Sequence, residues 1–158
     1  MESLGVLPVI LPLNITLFCF DFSGCGMSEG DYISLGYYEK DDLKVVIDYL
    51  RKSDKVSTIG LWGRSMGAVT SLMHASRDKN ISGLVLDSPF SSLKRVAQDL
   101  IKQKVSIPGF VVSIGMSFLN SAIKKKAKFN LNALKPIDQI ENIKIPALFV
   151  HGEEDNFI

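Results

Sequence analysis

Gly63-Arg64-Ser65-Met66-Gly67 is the stretch that decides the fold. It fits G-x-S-x-G, and both flanks suit the motif. Residues 56–62 are short, apolar and partly β-branched, as a strand of a buried sheet would be. Residues 68–75 suit a helix, with Val69, Leu72 and Met73 expected on one face. Strand, sharp turn and helix is the setting of a nucleophile elbow, which holds a serine in strained backbone with its hydroxyl exposed. Gly63 and Gly67 are read as sites where a Cβ would collide with the neighbouring strand or helix. The Met66 amide, at the helix N-terminus, is placed to donate to a developing oxyanion.

Composition narrows the setting. The 158 residues suffice for one domain with a real core, and the formal net charge is +1. A near-balanced charge without a basic stripe gives no reason to expect nucleic acid. Cys19 and Cys25 are too few and too close for a disulfide framework or a zinc site. They read as free thiols in a reducing compartment, so a cytoplasmic protein is expected, with attachment at a membrane periphery left open. No cofactor and no metal are expected. Residues 4–20 are very apolar but interrupted by Pro8, Pro12 and Asn14, with neither a basic segment before them nor a small-residue cleavage site after. They read as a buried helix end, stopped around Pro12, that runs into a core strand.

Taken in order, residues 15–22 read as a strand apolar on both faces. Residues 23–30 form a glycine-rich loop whose G-x-G-x-S lacks the third glycine and the immediate helix of a nucleotide fingerprint. In residues 38–52, Leu43, Val46, Ile47 and Leu50 recur at helical spacing behind an acidic first turn. Residues 81–86 are another buried strand, ending in Asp87-Ser88-Pro89-Phe90, and residues 92–104 a helix. From 107 to 129 the texture changes: Pro108-Gly109, an apolar run, then Lys124, Lys125, Lys126 and Lys128. This reads as a cap helix whose lysines suit the helix dipole; the competing reading has it touch a membrane or an acyl chain. Residues 136–144 are a connector with one helical turn, 145–150 a last strand. Alternating helices and uniformly apolar strands imply a parallel sheet with helices on both faces, and strand-end loops gathered at one edge.

On these residues the sequence resembles the α/β-hydrolase superfamily, in its serine-aminopeptidase-like and monoglyceride-lipase-like branch. The segment Asp21 through Ser28 looks like the loop after the family's fourth strand. Gly63 through Gly67 matches the elbow after the fifth, Asp87 through Phe90 the end of the sixth, and Ile145 through Asp155 the seventh strand with its acid-bearing loop. The resemblance implies one incomplete α/β-hydrolase domain over residues 1–158, with a helix and small cap segment at about 92–130. The family's third strand with its oxyanion loop would precede the first helix, and the eighth strand with the catalytic histidine would follow Asp155. Neither is present, so the sequence looks like the middle of a hydrolase.

What the resemblance implies for chemistry is a serine hydrolase acting on acyl esters, thioesters or small amides, extending to a lipid or an acylated peptide. Ser65 is then the nucleophile, Asp155 the acid, and Met66 one oxyanion donor. Asp87 is an alternative acid or the cap of the Ser88-Pro89 turn. Of the two histidines, His74 lies nine residues beyond Ser65 on the same helix, about 13 Å along its axis, out of reach of the hydroxyl. His151 occupies a position that is structural in the family and stays a secondary candidate for the base. The triad histidine is therefore expected outside these residues, and the chain by itself is expected to be inactive. A second reading is a hydrolase-like remnant that binds a ligand or partner without catalysis. In either case Ser65 should sit on a tight turn at the C-terminal edge of the sheet. Asp155 and the 23–28 loop should open onto that edge. With the family's third strand absent, residues 15–21 should be detached from the other strands or slid into a different pairing, and the isolated chain should be poorly soluble.

Overall fold

The computed structural model describes residues 2–104 and 108–153. Three short strands form one parallel sheet in the order β1 (Gly60–Arg64), β2 (Gly83–Asp87), β3 (Ala147–Val150). The register aligns Arg64 with Asp87, and Asp87 with Val150, so all three strands end level. The expected α/β architecture is therefore present: a parallel sheet flanked by helices. β1 begins four residues later than read and runs to Arg64, directly into the elbow.

The helices follow in chain order. A 3-10 turn (Glu2–Val6), α1 (Leu7–Ile10) and a second 3-10 turn (Leu11–Leu13) make up the N-terminal segment. α2 (Glu39–Lys52) carries acidic residues in its first turn and Arg51 and Lys52 in its last, as the helix dipole favours. α3 (Met66–Ala75) follows the elbow, and α4 (Leu93–Lys104) and α5 (Gly109–Ala127) form the cap. The 136–144 connector is a 3-10 helix, Pro136–Asn142.

Two apolar cores meet at α3. Leu43 and Ile47 of α2, Ala68, Leu72 and Ala75 of α3, and Leu84 and Leu86 of β2 pack into the first. Val69, Phe90, Leu93, Val112, Met116, Phe129, Leu131 and Leu134 make the second, between α3 and the cap. Val69 and Leu72 thus serve different cores rather than one face, because α3 is buried nearly all round. That explains its small residues. The buried hydroxyls of Thr70 and Ser71 donate to the carbonyls of Met66 and Gly67, both at 2.8 Å, and so need no water.

The N-terminal region departs from the sequence reading. Residues 15–22 are extended but pair with no strand among the described residues. They are detached from the sheet, the first of the two arrangements expected. Nor is the preceding helix end buried: Ile10 is, but Leu11 and Leu13 are exposed, and Ile15 and Phe18 beyond them are about half exposed. Without a strand partner this apolar run has no sheet to enter. Helices cover only one face of the sheet among the described residues. On the other, Trp62 and Leu148 remain 46% and 59% exposed.

A half-buried polar cluster clamps α2 to α3. Arg51 donates a fork to Asp78 at 2.7 and 3.1 Å, and His74 Nε2 lies 3.1 Å from Asp78 Oδ2. Burial opposes the charge on Asp78, but the Arg51 fork, the Asn80 amide and His74 outweigh it and hold the carboxyl down to about 2. Burial also lowers the His74 pKa, against the pull of Asp78. Asp78 binds its proton less readily folded than unfolded, so its contribution is complete above about pH 4 and fades between the ordinary value of 3.8 and about 2. Asp78→Asn should destabilise the fold at pH 7 by about 2 kcal/mol. Urea unfolding midpoints measured at pH 7 and pH 2.5 should show the gap to wild type closing at the lower pH.

Candidate active site

Ser65 links β1 to α3 with φ 48° and ψ −113°, a conformation that side-chain-bearing residues rarely adopt. Its amide donates to the Asp87 carbonyl at 2.8 Å, and one strand over, the Ser88 amide donates to the Val150 carbonyl at 2.8 Å. The sheet pairing is thus carried one residue past the strand ends, and Ser65, Ser88 and His151 stand in a row along the C-terminal edge. Two interstrand spacings separate the backbones of Ser65 and His151, about 10 Å. Met66 opens α3, so its N–H has no intrahelical acceptor and points out of the helix beside Ser65.

The turn leaves no room at Gly63. A Cβ there would stand 2.2 Å from the carbonyl carbon and oxygen of Gly67 and 2.5 Å from the Ala68 nitrogen. Gly67 differs from the expectation: a Cβ on it meets nothing within 4 Å. Its side-chain direction leaves the helix away from β1, and only its backbone is in the tight contact. The sequence pattern does not separate the two glycines; the direction of each Cα–Cβ bond does.

Asp87 accepts a hydrogen bond from Ser88 Oγ at 3.0 Å, and its other oxygen lies 3.8 Å from Arg64 Nε. These contacts fit its reading as the cap of the Ser88 turn, where Ser88 itself has φ 49°. His74 is buried in the α2–α3 clamp, and His151 is exposed at the sheet edge. Asp155 lies outside the described residues. The 23–28 loop is folded around Asp21, whose carboxylate accepts from the Met27 amide at 3.3 Å, and it is tied to α2 by the Ser23 amide on Asp42 at 2.9 Å.

Sequence reasoning missed a cavity in this region. It has a volume of about 620 Å³ and lies between Tyr32, Leu35, the α4 residues Leu93 and Ala97, and Ile123 and Phe129 of the cap. Gly24 of the loop and Leu93, six residues after the end of β2, both line it. Neither Ser65 nor Met66 lines it. Its outer wall is held by Glu39, which is buried at the start of α2 and accepts from the Ser34 amide and hydroxyl and from the Gly36 amide at 2.8 Å. The only trace of this in the sequence is a glutamate in a first helical turn, which reads equally well as a solvated dipole partner.

A family model described as Hydrolase_4, serine aminopeptidase, S33, matches residues 12–132. The chain belongs to this α/β-hydrolase family. Among its relatives, the Bacillus subtilis protein YqkD is 27% identical over 161 residues, which take in 100% of this chain and 52% of that protein. The Arabidopsis thaliana α/β-hydrolase domain-containing protein WAV2 is 28% identical, covering 95% of this chain and 47% of its own length. The Pyrococcus furiosus esterase Pf2001 superposes with a TM-score of 0.72 at 26% identity, over 97% of this chain and 55% of the esterase. The chain thus spans about half the length of these relatives.

The two elbow glycines make a direct test of this geometry. Gly63→Ala should destabilise the fold by about 3 kcal/mol or more, since both backbones it meets are fixed. Gly67→Ala, in a helix with open space around it, should be neutral or stabilising by up to about 1 kcal/mol. Thermal unfolding of the two variants side by side reads the difference.

Proposed function

We propose that this chain carries the nucleophile side of a serine hydrolase acting on acyl esters, thioesters or small amides. The observation that supports it most is the strained backbone of Ser65 at the C-terminal sheet edge, with the Met66 amide, the first N–H of α3, beside it. In this reading Ser65 Oγ attacks the substrate carbonyl carbon while a base takes its proton. The Met66 amide supplies one donor to the resulting oxyanion, which collapses and expels the alcohol, thiol or amine. Water then releases the acid from the acyl-serine by the same steps. Asp155 is assigned the orienting acid, and the base is assigned to a histidine outside the 158 residues, since His74 is locked in the α2–α3 clamp. The competing reading, ligand binding without chemistry, draws on the cavity that the elbow does not line.

A positioned general base contributes on the order of 10²–10⁴-fold, so the chain alone should turn over short aryl esters that much more slowly than intact esterases. Added imidazole should restore part of the rate, and Ser65→Ala should remove the restored part. An imidazole response that does not depend on Ser65 would favour the binding reading. Full turnover without imidazole, lost in Ser65→Ala, would place the base within the chain, and His151→Ala would identify it.

A further inference from the structure

The cap helix α5 is apolar on both sides, although only one side is packed. Val112 and Met116 are buried in the second core. On the opposite side Phe110, Ile114 and Phe118, at i, i+4 and i+8, are exposed by 69%, 55% and 74%. A helix apolar all round is normally covered all round. The serines that flank this stripe demand little water. Ser113 Oγ donates to the Gly109 carbonyl and Ser117 Oγ to the Ser113 carbonyl, both at 3.1 Å, so these two hydroxyls need no water. Gly109–Ala127 contains no acidic residue and ends in Lys124, Lys125 and Lys126, with Lys128 just beyond. Counting 100° per residue, Lys125 falls on the same side as Phe110, Ile114 and Phe118.

We propose that α5 docks the protein on an anionic phospholipid surface, lying in the interface with Phe110, Ile114 and Phe118 among the acyl chains and the lysine end against the headgroups. Charge decides the occupant: an apolar stripe on a helix that ends in a lysine cluster and carries no carboxylate of its own matches a negatively charged bilayer. Among the described residues no helix is long and apolar enough to cross a membrane, so the helix lies on the surface rather than through it.

The experiment is binding of the full chain to phosphatidylcholine vesicles with and without phosphatidylserine. A reporter variant carries Trp62→Phe and Phe118→Trp, which leaves its single tryptophan on the docking face. Binding should require phosphatidylserine and weaken with salt, and the emission of that single indole should be quenched by brominated acyl chains. K124Q/K125Q/K128Q changes only solvent-facing charge and should weaken binding about 100-fold, at roughly fivefold per lysine. Phe110→Ser with Phe118→Ser should weaken it at least about tenfold. Leu148→Ser, on the open sheet face, should leave it unchanged. Equal binding to neutral vesicles would overturn the proposal, as would absence of quenching or loss of binding only in Leu148→Ser. A dimer in sedimentation velocity that the double serine variant dissolves would overturn it too, by assigning the stripe to a second copy.

Discussion

Between the last residues of β1 and the first turn of α3 there is no space for a methyl group. A Cβ on Gly63 would sit inside the Gly67 peptide, so strand and helix approach at backbone contact distance. That approach turns the chain within one residue and forces Ser65 to a positive φ. A serine so placed cannot turn its side chain into the sheet or along the helix, and is presented at the edge where the three strands end level. The outward-pointing amide of Met66 comes with the same turn, because a helix starting there leaves its first N–H groups without intrahelical acceptors. A strained backbone of this kind costs on the order of 1–3 kcal/mol and persists only where its surroundings over-determine it.

Those surroundings are the two cores that share α3. The sheet-side core fixes the helix against β2 through Ala68 and Leu72, and the cap-side core holds it through Val69. Arg51, His74 and Asp78 then fasten α2 to it at its far end. Being covered on nearly all sides, α3 carries mostly small or apolar residues, with the Thr70 and Ser71 hydroxyls bonded to its own carbonyls. His74, which lies too far along α3 to reach Ser65, is part of the fastening.

The cap side is less regular. Tyr37 stacks on Phe129 with ring centroids 4.9 Å apart, and Tyr38 OH donates to the Ala127 carbonyl at 2.8 Å, so the loop before α2 is joined to the end of α5. Leu35 and Gly36, both at positive φ, let that loop fold over the second core; a Cβ on Gly36 would press to 2.7 Å from Val69 Cγ1. The cavity exists because this loop and the cap helices stand apart above Leu93 and Ala97 while being tied at their ends. The opposite face of the sheet has no such cover among the described residues, and its Trp62 and Leu148 are open. That bareness accompanies a chain that spans about half of its relatives.

Local pattern was enough for the elbow, the α2 stripe and the parallel character of the sheet. Each depends on interactions a few residues long or on the periodicity of apolar side chains, and G-x-S-x-G carries its geometry within five residues. The family could likewise be recognised, because four such motifs follow one another in a fixed order. Contacts between distant residues were decided only in three dimensions. Gly63 and Gly67 look equivalent in the sequence, yet only one has a Cβ direction that meets backbone. Val69 and Leu72 share a helical stripe on paper and divide between two cores because α3 has neighbours on both sides. Glu39 reads as a dipole partner and proves to be the buried anchor of a loop. Phe110, Ile114 and Phe118 could not be told from core residues by hydropathy, since Val112 and Met116 alternate with them in one apolar run. Which side of a uniformly apolar helix meets water depends on what packs against it, and that is a property of the tertiary structure alone.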